Sequence, residues 1–127
     1  MTKIAFTIYS EPASKSNSRR LVKFGNRPAL IKSDKARNYE KTALMQIPDN
    51  AKQMLDCDVS ATIKIYYASR RPDLDPSVIF DVMQAKFKAG KLVRNGVYLN
   101  DRQVKEMHIY HGIDKENPRA EIEIKAL

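Results

Sequence analysis

Val59-Ser60-Ala61-Thr62-Ile63-Lys64-Ile65-Tyr66-Tyr67 runs, within a few residues, into Arg70-Arg71-Pro72-Asp73-Leu74-Asp75-Pro76. The architecture follows from how these two segments join. In the first, Val59, Ala61, Ile63, Ile65 and Tyr67 alternate with Ser60, Thr62, Lys64 and Tyr66, the period-two pattern of a strand with one covered face. In the second, Pro76 cannot continue a central strand, but its fixed φ suits the first position of a helix. Val78, Ile79, Val82, Met83 and Phe87 then recur at helical spacing, predicting a helix that buries this stripe and ends near Gly90.

Working outward, Ile4, Phe6 and Ile8 alternate with Ala5, Thr7 and Tyr9 and predict a first strand. Residues 11–20, rich in Pro, Ser, Asn and Lys, read as a loop. Leu21–Phe24 and Ala29–Lys32 flank Gly25-Asn26, a hairpin signature. Ser33 or Asp34 caps a helix running to about Ile47, with Ala36, Tyr39, Ala43, Leu44 and Ile47 on one stripe and Pro48 as its stop. On the other side, residues 91–102 read as a connection containing Asn95-Gly96 and Asn100-Asp101. Val104–Tyr110 and Ala120–Ala126 read as closing strands joined through Glu116-Asn117-Pro118. The sum is an α+β fold: one small domain over residues 1–127, a mixed β-sheet with two main helices.

The 127 residues suffice for one core and not two. No apolar run approaches the roughly 20 residues needed to span a bilayer, and the amino terminus lacks the long apolar middle of a signal peptide. A single cysteine, Cys57, excludes an intramolecular disulfide and suits a reducing compartment, so a cytoplasmic protein is expected. The net charge of +8 favours polyanionic partners, whose condensed counterions are released on binding. Lys15, Arg19, Arg20 and Lys23 crowd one segment, and Arg70 and Arg71 precede a pair of aspartates. Lys15, Arg19, Arg20, Arg70 and Arg71 are therefore expected to contact phosphates; the alternative is a solvated charged loop.

Asp73-Leu74-Asp75 carries the chemistry. In extended backbone, residues two apart project to one side, so both carboxylates face one way. Two carboxylates held close repel unless one is protonated or a cation lies between them. Hard oxygen donors of this kind suit Mg²⁺ or Mn²⁺. Asp101, just ahead of another predicted strand, could complete the cluster, and Asn100 offers a neutral amide oxygen beside it. The same residues have plainer readings: Asp75 as a helix cap, Asp73 as a partner of Arg70 or Arg71, Asp101 as a turn former.

Arg71-Pro72-Asp73-Leu74-Asp75, a following helix, and then Gly96-Val97-Tyr98-Leu99-Asn100-Asp101-Arg102-Gln103-Val104 together resemble the RusA-type Holliday junction resolvases. The stretch Pro12-Ala13-Ser14-Lys15-Ser16-Asn17-Ser18-Arg19-Arg20 is similar to the proline, asparagine and basic loop after that family's first strand. The resemblance implies a homodimeric, Mg²⁺-dependent nuclease that nicks a four-way DNA junction symmetrically. It implies Asp73, Asp75 and Asp101 as metal ligands, with Asn100 where a further aspartate is usual. It also exposes two departures. The position of the family's catalytic lysine, one turn into the helix, is Ile79 here, and the interval from Asp75 to Asp101 is longer than usual. The rival reading is a non-catalytic protein that binds branched DNA with weakened or lost cleavage.

Other catalytic constellations are poorly supported. His108 and His111, three apart in a strand, project to opposite faces, and no Gly-x-Ser-x-Gly, Gly-x-Gly-x-x-Gly or Walker sequence occurs. Tyr66 and Tyr67 are candidates to stack on a base, with one of them expected in the core.

Overall fold

The computed structural model describes residues 2–12, 19–70 and 75–127. Its centre is β4 (Val59–Tyr67), the alternating strand, in a four-stranded sheet with β1 (Lys3–Tyr9), β7 (Val104–Ile113) and β8 (Arg119–Ala126), in the order β1-β8-β4-β7. β8 pairs antiparallel with both β1 and β4, whereas β7 runs parallel to β4. A parallel neighbour needs a crossover, and the chain makes it through α2 (Ser77–Met83). The period-two expectation for β4 is met along its length, with Val59, Ala61, Ile63, Ile65 and Tyr67 all fully buried.

Before β4, β2 (Arg19–Phe24) and β3 (Arg27–Lys32) form a separate hairpin whose two-residue turn has Gly25 at φ 62°. α1 (Asp34–Gln46) follows, capped by the Ser33 hydroxyl, which accepts the Ala36 N–H at 3.1 Å. Ile47, restricted by Pro48, is already extended. Ala36, Tyr39 and Ala43 of α1, with Ile47 just after it, share one core with Val78, Ile79, Val82 and Met83 of α2 and with the sheet residues Ile4, Ile8, Ile63, Ile65, Ile122 and Ile124. Two helices on a sheet is the α+β arrangement read from the sequence. No helix among the described residues is long and apolar enough to cross a membrane.

The second helix corrects the sequence reading. It stops at Met83, with Gln84 extended, and does not reach Gly90. The chain instead forms a two-stranded hairpin of β5 (Lys86–Lys88) and β6 (Lys91–Arg94). Phe87, expected in the core, is 50% exposed, and Gly90 lies in the hairpin turn with φ 77°. The cause is tertiary. The Ala85 N–H donates to Tyr98 O at 2.9 Å and the Val97 N–H to Met83 O at 2.7 Å, so both feet of the hairpin are tied before the helical period can continue. Gly96 sits in that closure, where a Cβ would lie 2.3 Å from Ala85 N and 2.6 Å from Met83 O. Only glycine lets the two feet meet so closely.

Beyond β7 the expected turn at 116–118 is present. Arg119 holds it, bonded to Asp114 at 2.8 Å and to Glu121 at 3.1 Å, and its guanidinium lies 4.1 Å over the Tyr66 ring. Tyr66 is thus covered by Arg119, and Tyr67 is core.

Candidate active site

The sequence placed the candidate acids at the end of β4 and before β7. The Asp75 N–H donates to the hydroxyl of Tyr67, the last residue of β4, at 3.3 Å. One Asp75 oxygen then accepts the Ser77 N–H at 3.0 Å, while the Phe80 N–H reaches Pro76 O at 3.1 Å. The cap position itself is Pro76 and not Asp75, because Pro76 O accepts the first helical bond; Asp75 braces the helix entry from one residue earlier, through one oxygen. A carboxylate has a second oxygen with further lone pairs, so this brace does not exhaust it. Asp73, Arg71 and Lys15 lie outside the described residues.

The same end of the molecule holds groups the sequence did not single out. The Glu11 carboxylate accepts the Ala68 N–H at 3.0 Å. A cavity beside it is lined by Ser10, Glu11, Lys35, Asn38, Tyr39 and Thr42. Burial raises the Tyr39 hydroxyl well above its ordinary pKa, and the neighbouring Tyr67 raises it further. The Tyr39 oxygen is buried with no hydrogen-bond partner among the described residues. Glu11 was not legible because its partner Ala68 is 57 positions away in the chain, and no motif links Glu11 to Lys35 on the far side of the cavity.

Asp101 begins a short 3₁₀ turn, Asp101–Gln103. Asn100 caps it: its side-chain oxygen accepts the Arg102 N–H at 2.9 Å, and its own N–H donates to Gln103 Oε1 at 2.8 Å. The Gln103 amide in turn donates to Leu55 O at 2.7 Å and Cys57 O at 2.8 Å, fixing the turn to the start of β4. The Asp101 N–H is held by Gln84 Oε1 at 2.8 Å. The nearby Tyr98 is buried, and its hydroxyl donates to Phe80 O at 2.8 Å. Burial is the main reason the Tyr98 hydroxyl resists ionisation, and the charges of Asp101 and Asp81 add to it.

Asp75 thus lies just ahead of the amino end of α2, and the Asp101 N–H is tied to the side chain of Gln84, the residue after its carboxyl end. The seven-residue helix between them is roughly 10 Å long. Among the described residues, no group of three His, Cys, Asp or Glu side chains is close enough to hold a metal ion. The single pocket expected from three acids is therefore not formed by Asp75 and Asp101 with any other described acid.

Ile79, at the position of the expected lysine, is fully buried in the core and offers nothing to a substrate. Arg70 is exposed, Arg19 and Arg20 open β2, and Lys86 stands on the β5 strand and not on a helix. The β5–β6 hairpin lies within the interval between Asp75 and Asp101.

The sequence profile described as Endodeoxyribonuclease RusA matches residues 10–125, nearly the whole chain. The chain belongs to the RusA endodeoxyribonuclease family. RusA is a Holliday junction resolvase endonuclease acting on branched DNA, and the small mixed-sheet domain with two helices is the RusA-like fold. No curated protein matched the chain in a sequence search. Within the RusA match fall Asp75, Asn100, Asp101 and the whole β5–β6 hairpin.

Proposed function

We propose that this RusA-family chain is a divalent-metal-dependent endonuclease that resolves four-way DNA junctions by paired nicks, acting as a homodimer in recombination and repair in the cytoplasm of a bacterial or phage-infected cell. The observation that carries the reading is Asp75. One oxygen of its carboxylate holds the Ser77 N–H at the entry to α2 and leaves the other for a ligand, Asp73 is two positions away in the sequence, and the match to RusA covers both. Asp73 and Asp75 would hold Mg²⁺ or Mn²⁺, with Asp101 reaching the same site through water or a second ion. Such ions activate water and stabilise charge on a phosphodiester. Asn100, whose oxygen already caps a turn, would ligate only through its remaining lone pair.

The chain's own groups do the rest. Gln84 and the Asn100–Gln103 capping box hold Asp101 in place. Lys15, Arg19, Arg20, Arg70 and Arg71 would bind phosphates and set the register of the junction arms. With Ile79 in the core, Lys35 and Arg70, near the Asp75 end, are the cations suited to serve the transition state. β7 is an edge strand with Met107, Tyr110 and Ile113 exposed, a surface suited to a second copy. Paired cuts need two sites related by a two-fold axis.

A synthetic four-way junction incubated with Mg²⁺ or Mn²⁺ tests the reading, with Asp75→Asn as control. Metal-dependent symmetric scission by the wild type alone is expected. Equal scission by both proteins would discard the assignment. Tight junction binding with no metal-dependent cutting would favour the non-catalytic reading, which the buried Ile79 motivates.

A further inference from the structure

The β5–β6 hairpin takes no part in the site described above. Residues 86–94, Lys-Phe-Lys-Ala-Gly-Lys-Leu-Val-Arg, carry four cations and no acid. All but Arg94 are exposed, including the apolar Phe87, Leu92 and Val93 at about half of their full area. Phe87 pairs across the ladder with Leu92, and Lys88 with Lys91. Cross-strand partners share a face and neighbours along a strand do not. The hairpin therefore has one face bearing Phe87 and Leu92 and another bearing Lys88 and Lys91.

Two features of this element are unfavourable in isolation. Like charges directly opposite each other on a ladder repel, and an exposed two-stranded hairpin is marginally stable at best. A ligand carrying negative charge and flat apolar surface relieves both. The foot of the hairpin is rigid: the Arg94 guanidinium donates to Asp81 O at 3.2 Å and Gln84 O at 3.0 Å, capping α2. Gln84, at that foot, is the residue that holds Asp101. A second copy of this chain fits poorly on the hairpin, because two such basic strands repel.

We propose that the β5–β6 hairpin is a DNA-branch probe: Lys88 and Lys91 contact phosphates while Phe87 and Leu92 pack on bases unstacked at the branch point beside Asp101. Aromatic and apolar side chains are known to wedge between base steps and to stack on single-stranded bases. The proposal rests on the branched-DNA reading above and adds the element that recognises the branch.

The protein has no tryptophan, so Phe87→Trp places a single reporter on the probe. With a four-way junction and Ca²⁺ in place of Mg²⁺, its emission should be strongly quenched, and less so with a linear duplex of equal length. A 2-aminopurine at the branch should brighten on wild-type binding, and brighten several-fold less with Phe87→Ser/Leu92→Ser. Lys88→Gln/Lys91→Gln should weaken binding to junction and duplex alike, roughly 10-fold, and lower the salt slope by about 2. Circular dichroism and size-exclusion chromatography of each variant report the fold and the oligomeric state.

Junction binding and cutting by wild type, with Phe87→Trp emission unmoved and the variants unimpaired, would overturn the proposal and leave the nuclease reading standing. A wild type that binds no branched DNA would remove both. Loss of a dimer in the variants with junction affinity intact would assign the hairpin to a second copy instead. Quenching by phosphatidylserine vesicles but not by DNA would assign it to a membrane surface. Either of those results would overturn the proposal.

Discussion

The side-chain oxygen of Gln84 accepts the backbone N–H of Asp101 at 2.8 Å, linking the end of α2 to the turn that presents the second candidate acid. Gln84→Ala removes the only side-chain acceptor for that N–H among the described residues. Because the bond is exposed, thermal stability should change by less than about 1 kcal/mol. Asp101 loses its anchor, so single-turnover cleavage should slow by about 10-fold while junction affinity stays within two-fold. An unchanged rate would show that Asp101 does not need this anchor.

The double role of Asp75 separates two substitutions. Asp75→Asn keeps an oxygen for the Ser77 N–H and should retain nearly full stability, whereas Asp75→Ala should lose about 1 kcal/mol. Both should abolish metal-dependent cleavage. Denaturant melts alongside junction assays distinguish the brace at the helix entry from catalysis, and cleavage by either variant at the wild-type rate would strike Asp75 from the site.

Restoring the family lysine should fail. Ile79 is fully buried, so Ile79→Lys places an ammonium in the core and should destabilise the fold by several kcal/mol without faster cutting. Lys35→Ala, by contrast, should fold normally and cut roughly 10-fold more slowly if Lys35 serves the transition state. Urea melts and initial rates on the same preparations check both.

Ala89 occupies the first position of the hairpin turn at φ 51°, with Gly90 after it at 77°. Two positive φ values are the mark of a type I′ turn, which favours Asn-Gly. Ala89→Asn should relieve strain worth roughly 1 kcal/mol and slow amide exchange in Lys86–Arg94. Unchanged exchange would mean the hairpin is limited by its foot and not by its turn.

Two buried tyrosines set an alkaline limit. Folding raises the Tyr39 and Tyr98 pKa values above the ordinary 10.0, so the folded protein holds protons that the unfolded chain releases. Their contribution is intact below pH 10 and falls away as pH rises beyond it. Unfolding should begin above pH 10, and Tyr39→Phe, which deletes a buried hydroxyl without a hydrogen-bond partner among the described residues, should move the onset upward. Circular dichroism between pH 9 and 12 reads this directly.

Most of the sheet was legible because its strands obey period two, with Ile63 and Ile65 turned inward and Thr62 and Lys64 outward. α1 was legible from Ser33 and Pro48, which act locally. The end of α2 was not. Phe87 continues the helical stripe of Val78 and Val82, and only the long-range bonds between Met83, Ala85, Val97 and Tyr98 override it. The candidate acids could be named from sequence, since Asp75 and Asp101 sit in recognisable motifs. The tie of Asp101 to the end of α2 could not, because it depends on a long-range bond from the Gln84 side chain. Glu11 and Lys35 were invisible for the same reason: they line one cavity from separate elements, and such proximity leaves no mark on neighbouring letters.

The chain enters and leaves the β5–β6 excursion at adjoining atoms, with Gly96 pressed against Ala85 and hydrogen bonds across the gap. Such a pinched neck behaves as a splice point. Residues can be added to or trimmed from the protrusion while strands and helices keep their register, so the scaffold can exchange one substrate-sensing attachment for another without refolding.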